Sequence, residues 1–407
     1  MIAVSSSARL QGELADASAS PPVSSARPDD ELLPFLNNFH DIFTTIGVVI
    51  LFIGLAIGAG QVFDMAGADP ETLAGELVIL GLLAAIGAAA WLLSVVLVGK
   101  QRRILPGIVL SVVFVACAGA VLTWLYARAT FGMTDPDEIG AVFEGLSDIN
   151  EPTRAALGAA MNDLPILARL FPAGVGLIFS AVVAVYYFTF RLPFAAGLLG
   201  VTLVTTAFAG LAVLDPYTAF VWNPAVSLAS GLALFLAGVV FDARDPERQT
   251  RLSGAGFWLH FFAAPTVLGA AVTIANVGFR LDEADFATGG VFGALGPMIA
   301  GDEASAVRNA AVTLAVIGVF ALVSLLINRR ALIVAGLITA GVAIGVLVNQ
   351  AGLGEAAVVA VTLLTLGAVV VLLGAAWTPV RRVLTAPFPN SGPVARIIPP
   401  ADDGAEG

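Results

Sequence analysis

Charged side chains are scarce in this chain. Lys, Arg, Asp and Glu make up 12% of its 407 residues, whereas hydrophobic residues make up 58%. A soluble globular domain carries about 25% charged residues. With a mean hydropathy of +0.94, a chain of this length is expected to be solvated mainly by lipid. That composition excludes the ordinary soluble enzymes and binding domains.

Cysteine and histidine are almost absent as well. The only cysteine, Cys117, lies inside an apolar run, so the sequence predicts neither a disulfide framework nor a thiolate metal site. Neither of the two histidines, His40 and His260, is followed by Glu, which excludes the HExxH motif of zinc peptidases. We therefore predict no catalytic residue, no metal, no cofactor and no nucleic-acid partner.

The chain is dominated by long apolar runs. A membrane span needs about 20 mostly apolar residues to cross a hydrocarbon core of ~30 Å. The predicted fold class is therefore all-α, a polytopic integral membrane helical bundle of about ten transmembrane helices. The ten runs lie at about 42–60, 77–98, 104–126, 173–190, 193–214, 224–241, 255–279, 309–327, 331–348 and 356–377.

Basic residues fall mainly on one side of this predicted bundle. If both tails lie on the same side, that side holds 14 of the 19 Lys and Arg residues. The loops of the other side hold 5 basic residues and 18 Asp and Glu. Because short cytoplasmic loops carry the excess of Lys and Arg, we expect both termini in the cytoplasm.

The two tails lack apolar periodicity. Residues 1–36 are rich in Ala, Ser, Pro and acids, and residues 386–407 contain five prolines and end in an acidic stretch. Such segments cannot bury enough apolar surface to fold alone. We predict disordered cytoplasmic tails at 1–36 and 386–407, flanking a transmembrane domain at 37–385.

Two loops on the acidic side are long enough to fold. In the first, about 127–172, Asp135-Pro136 predicts the start of one helix, and Asn150-Glu151-Pro152 that of a second helix through Ala159. The second loop, about 280–308, is apolar and rich in glycine. Either it lies on the membrane surface or it re-enters the membrane.

The order of loops suggests an internal repeat. A basic turn, a long acidic loop and a short Arg-bearing hairpin occur in that order twice. The two units would be spans two to five and spans six to nine, in the same orientation, as in transporters with parallel repeats.

Polar groups in the predicted spans are few, and they define the candidate site. No charged residue lies in the middle of any run. His40 and Asp41 precede the first run and His260 lies in the seventh, all near the same predicted side. They form either a proton-sensitive or incomplete metal cluster, or separate interfacial residues beside Trp258 that are hydrogen-bonded locally.

The seventh run is the most irregular of the ten. Pro265 removes a backbone hydrogen bond and is expected to kink the helix. The same run carries Trp258, His260, Thr273 and Asn276. Kinked helices often line binding cavities, but prolines in spans can also be purely structural. Both interpretations stay open.

Two stretches carry a resemblance to a known kind of family. They are Asp245-Pro246-Glu247-Arg248 through Ala263-Ala264-Pro265, and Phe39-His40-Asp41. In these motifs the chain resembles a domain-of-unknown-function type of multi-span bacterial inner-membrane protein. The resemblance implies an all-helical, multi-pass protein of the bacterial cytoplasmic (inner) membrane, without functional residues to carry over.

For function, the uncharged middle favours solutes that need only hydroxyls, amides and shape. Our leading hypothesis is a carrier or channel-like protein for a small neutral or amphiphilic solute. The alternative is a non-transporting membrane scaffold or sensor that acts through its outer loops and tails. An intramembrane serine hydrolase using Ser230 and His260 is disfavoured, because their predicted depths differ by ~13 Å. The oligomeric state is left open.

Overall fold

The structure is a computed structural model that describes residues 39–131, 153–163, 166–245, 250–282, 303–328, 355–389 and 392–400, and also positions 340, 341, 344 and 348. Regular structure in this part of the chain is entirely helical. The helices are α1 Phe39–Met65, α2 Leu73–Ser94, α3 Leu105–Phe131, α4 Arg154–Asp163, α5 Ile166–Phe190, α6 Pro193–Leu214, α7 Pro216–Val221, α8 Asn223–Arg244, α9 Arg251–Val277, α10 Glu303–Ile327, α11 Glu355–Thr385 and α12 Pro393–Ile397. Helix α2 continues as a π-helix, Val95–Lys100.

Eight helices within the described ranges are long and apolar enough to cross a membrane, which supports a multi-pass membrane protein. They coincide with the first eight predicted runs. The ninth run, 331–348, lies outside the described residues apart from four positions, and the tenth coincides with α11. A total of about ten spans therefore stays a prediction. The eight helices are His40–Met65, Leu73–Lys100, Leu105–Phe131, Ile166–Phe190, Pro193–Leu214, Asn223–Arg244, Leu252–Ala275 and Ala310–Ile327.

Short polar or proline-containing turns begin several of these helices. The Thr72 hydroxyl accepts a hydrogen bond from the Gly75 N–H at 3.2 Å at the start of α2, and Thr250 caps α9 in the same way. Pro193 stands in the first turn of α6, where a missing N–H costs nothing. Arg191, with φ of 54°, reverses the chain between α5 and α6, so these two runs are separate helices.

Helices adjacent in sequence pack against each other as hairpins, and the core lies between α2, α3, α5, α6 and α9. Its centre is aromatic. The Trp91 ring lies 4.9 Å from both Phe114 and Phe190, and the buried Tyr186 hydroxyl shares a 2.9 Å hydrogen bond with Ser94. A buried hydroxyl in lipid needs such a partner, because no water is there to replace it.

Side-chain contacts define two ends of the bundle. At one, called here the Arg103 end, Arg103 bonds the Asp41 carboxylate at 3.2 Å, which joins the start of α1 to the turn after α2. At the other, the Asp215 end, Arg154 before α5 bonds Asp215 after α6 at 2.8 Å. Among the described residues, Arg102, Arg103 and Arg191 lie in turns at the Arg103 end, whereas Asp69, Glu71 and Asp215 lie at the Asp215 end.

The C-terminal segment is held against the bundle over residues 392–400. Helix α12 packs against α8, and the buried Arg381 guanidinium donates hydrogen bonds to the Pro399 and Pro400 carbonyls. The disordered tail at 386–407 rests on the lack of apolar periodicity in the sequence and stays a prediction.

The long loops are described only in part. Helix α4, Arg154–Asp163, begins and ends about four residues later than the helix predicted over 150–159. The helix predicted from Asp135 lies outside the described residues, as does most of the glycine-rich loop at 280–308.

Candidate functional sites at the two ends of helix α9

Helices α8 and α9 form a tight hairpin because glycines lie where the two helices cross. The His260 ring packs directly on Gly238, so that a Cβ built there would lie 2.8 Å from the ring. A Cβ on Gly231 would lie 2.7 Å from Val267. Small residues at such crossings let helix backbones approach closely in a membrane.

A histidine–carboxylate pair lies at the Arg103 end of this hairpin. His260 Nε2 is 3.1 Å from Asp242 Oδ2, and the His260 side chain is 0% exposed. Cα–Cβ bonds tilt toward the N-terminus of a helix. In this antiparallel hairpin the tilt directs Asp242 away from the Arg103 end and His260 toward it. The two side chains therefore converge.

The hydrogen-bond pattern fixes what the pair can do. Nδ1 of His260 is buried, and none of the described residues offers it a hydrogen bond. The Phe235 ring lies 4.9 Å from the imidazole. An imidazole that carries its hydrogen on Nε2 donates that hydrogen to the Asp242 carboxylate.

The predicted cluster of His40, Asp41 and His260 is not assembled by these contacts. Asp41 is bound by Arg103, which also donates to the His40 carbonyl at 3.1 Å and to Thr44 Oγ1 at 2.8 Å. The His260 imidazole bonds Asp242 instead. Among the described residues no group of three or more His, Cys, Asp or Glu could hold a metal ion.

The other candidate residues of the seventh span have separate surroundings. Trp258 packs edge-on against Phe194 at 4.8 Å. The Pro265 ring is exposed, and the Thr273 hydroxyl donates to the Gly269 carbonyl of its own helix at 3.0 Å. Asn276 lies in the last turn of α9, and its side chain is outside the described set.

Ser230 lies far from the His260 imidazole along the hairpin. Its neighbour Gly231 contacts Val267, seven residues beyond His260 on α9. Seven residues of helix rise about 10 Å, whereas a nucleophile and its base must approach to about 3 Å. The packing of the hairpin therefore disfavours a Ser230–His260 catalytic pair, as the predicted depths of the two residues do.

A cavity of about 380 Å³ lies at the opposite end of α9. Small-molecule sites of proteins measure about 300–1,000 Å³, so this volume suits a small solute. Both apolar and charged side chains line the cavity. The lining residues are Thr153, Arg154, Tyr217, Val221, Arg280, Leu281 and Asp282.

Arg154 lines this cavity, and Asp215, outside the lining, holds Arg154 in place. The Arg154 guanidinium lies 4.7 Å from the centre of the Tyr217 ring and bonds Asp215 at 2.8 Å. Asp215 also accepts from the Thr218 hydroxyl at 2.7 Å and from its N–H at 3.2 Å. The Thr218 hydroxyl bond, followed by the Arg154 bond, lowers the pKa of the Asp215 carboxyl.

Sequence reasoning missed both arrangements. Asp242 was placed one residue past the end of the sixth run, although α8 continues to Arg244. Extending the sixth predicted run to Arg244 would have placed Asp242 on the helix that pairs with the seventh run. The cavity residues lie on short segments far apart in the chain, and no local pattern links them.

No family model matches the chain, and no curated protein or solved structure matches it. The resemblance to multi-span bacterial inner-membrane proteins therefore stays an expectation from the sequence.

Proposed function

We propose that this protein is a carrier or channel-like protein for a small neutral or amphiphilic solute. The cavity at the Asp215 end is the observation that carries the proposal. It combines the apolar side chains of Val221 and Leu281 with charged groups at the end of a membrane-spanning helix. Thr153, Arg154, Arg280 and Asp282 supply convergent polar groups beside that apolar surface, and such a combination is found at small-molecule sites.

The proposal includes the membrane and the orientation of the chain. We infer about ten spans in a bacterial cytoplasmic membrane, with both tails and the Arg103 end in the cytoplasm. The distribution of basic residues between the two ends supports this orientation. The cavity would then open away from the cytoplasm.

A non-transporting scaffold or sensor is the second candidate, and the dense packing nearer the Arg103 end favours it. Leu110, Val183 and Tyr186 are each 0% exposed, in the part of α3 and of α5 that lies toward that end. A carrier must open such packing during each cycle, whereas a scaffold can keep it closed.

Solute flux into vesicles distinguishes the two candidates. The purified protein would be reconstituted into vesicles and shocked with glycerol, urea, erythritol or glycine betaine, and reswelling followed by stopped-flow light scattering. A carrier or channel accelerates reswelling in proportion to protein content for at least one solute. Rates equal to those of protein-free vesicles for the whole panel would contradict the proposal.

A matched pair of variants ties any flux to the cavity. Asp282→Trp places a bulky side chain at the cavity lining, and Asp64→Trp makes the same change at an exposed position near the end of α1. We expect Asp282→Trp to slow reswelling and Asp64→Trp to leave it unchanged. Equal slowing by both variants would argue against this cavity as the entrance.

A further inference from the structure

Arginines are unevenly distributed at the Asp215 end. The sequence places only five there, and two of them, Arg154 and Arg280, line the same cavity. Arg128 faces Glu76 at 4.0 Å outside the cavity. Arg169 donates to Asn162 at 2.7 Å and to the Val213 carbonyl. The cavity therefore holds two of the five arginines of an otherwise acidic end, together with the Asp282 carboxylate.

The two cavity arginines are in different electrostatic states. Arg154 is neutralised by Asp215 at 2.8 Å and is held over the Tyr217 ring. Arg280 makes no hydrogen bond or ion pair with any of the described residues. Its guanidinium is the cationic group of the cavity that is not held in an ion pair with a described residue, and the Asp282 carboxylate is also part of the lining.

The backbone beside Arg280 is fixed even though its guanidinium is not engaged. Gly278, with φ of 82°, ends α9, a conformation that L side chains rarely adopt. Three residues later, the Leu281 N–H donates to the Val221 carbonyl at 2.8 Å, and Leu281 is 1% exposed. Arg280 is thus carried into the cavity lining by a short segment with an anchor on each side.

We propose that the cavity binds a small amphiphilic carboxylate, with Arg280 as its anion anchor. The planar guanidinium matches a carboxylate in a two-pronged hydrogen bond. Tyr217, Val221 and Leu281 supply apolar surface for a short aromatic or aliphatic body. This inference rests on the proposed function and names the substrate class of the same site. The volume of about 380 Å³ restricts the ligand to small molecules.

Three fluorinated probes of one shape test the charge of the ligand. The full chain in neutral-lipid nanodiscs would be titrated with 4-fluorobenzoate, 4-fluorobenzamide and 4-fluorobenzylammonium, with ¹⁹F NMR line broadening as the readout and empty nanodiscs as the blank. We expect saturable binding of the benzoate that weakens as salt rises. The amide and the ammonium should bind more weakly than the benzoate, by a factor of about ten at least.

Variants then locate the anchor. Arg280→Gln should weaken benzoate binding by about tenfold or more, and Arg280→Lys should retain part of the affinity because it keeps the charge but loses the planar fork. Arg128→Gln removes the same charge from the same end outside the cavity and should leave affinity unchanged. The melting temperature of each variant in detergent verifies that it is folded.

Binding and transport can fail separately. Two outcomes would overturn the carboxylate assignment: the amide or the ammonium binds as tightly as the benzoate, or a folded Arg280→Gln variant keeps full benzoate affinity. The carrier proposal would then depend on the flux measurement alone. Benzoate binding without flux of any solute would support the anion site and contradict the carrier. No saturable binding of any probe would overturn the anion site.

Discussion

At the scale of single residues, His260 shows how burial and pairing go together in this chain. The imidazole is fully buried, and Asp242 is its hydrogen-bond partner. His40, the other histidine, is exposed, and it is its backbone carbonyl that accepts from Arg103. From the sequence, both histidines are candidates for one polar cluster. In the structure, only His260 is a buried part of the core.

Removing the His260 side chain is therefore expected to destabilise the protein. His260→Ala leaves the Asp242 carboxylate without this donor and opens a cavity beside Gly238, a loss of about 2–4 kcal/mol. His40→Ala should change stability by less than about 0.5 kcal/mol, because that side chain is exposed. Unfolding in a denaturing-detergent titration measures both. Equal losses would show that burial of His260 does not matter.

At the scale of elements, the α8–α9 hairpin depends on the absence of a side chain at Gly238. A Cβ there would lie 2.8 Å from the His260 ring, whereas a Cβ at Gly269 of the same hairpin would meet nothing within 4 Å. Gly238→Ala should destabilise by about 1–3 kcal/mol. Gly269→Ala should be neutral or stabilising by up to about 1 kcal/mol. The same titration compares them, and a harmless Gly238→Ala would contradict the close crossing.

The link between α4 and the turn after α6 is expected to depend on pH. Hydrogen bonds from Thr218 and Arg154 place the folded-state pKa of Asp215 below its ordinary value of 3.8. The stabilisation that the ionised Asp215 carboxylate gives to this link is therefore present above pH 3.8, and it is lost as the pH falls through the lower, folded-state pKa. Because the pair is exposed to solvent, the effect is small.

Hydrogen exchange of α4 amides, corrected for intrinsic rates, measures this local link. We expect faster exchange in Asp215→Asn at neutral pH, and a difference from the unmodified protein that shrinks below pH 3.8. A variant effect that stays the same across that range would show that the carboxylate charge has no part in holding α4.

At the scale of the whole molecule, hydropathy alone locates the first eight apolar helices, because length and composition decide whether a helix can cross a membrane. Interactions across the bundle decide the rest. Asp242 finds His260 only once α8 and α9 are paired, and Arg280 joins Arg154 only through the contact between Leu281 and Val221. Such non-local pairings leave no periodic signal in a single sequence.

The central claim is that the two ends of this bundle lie on opposite sides of a membrane. Gln101 and Glu71 flank the segment Leu73–Lys100 and are both exposed, so single cysteines there, with Cys117→Ala, report both ends of one span. In intact expressing cells, a membrane-impermeant maleimide should label Glu71→Cys at once and Gln101→Cys only after permeabilisation. Labelling of both in intact cells would contradict the claim of opposite sides, and labelling of Gln101→Cys alone would contradict the proposed orientation.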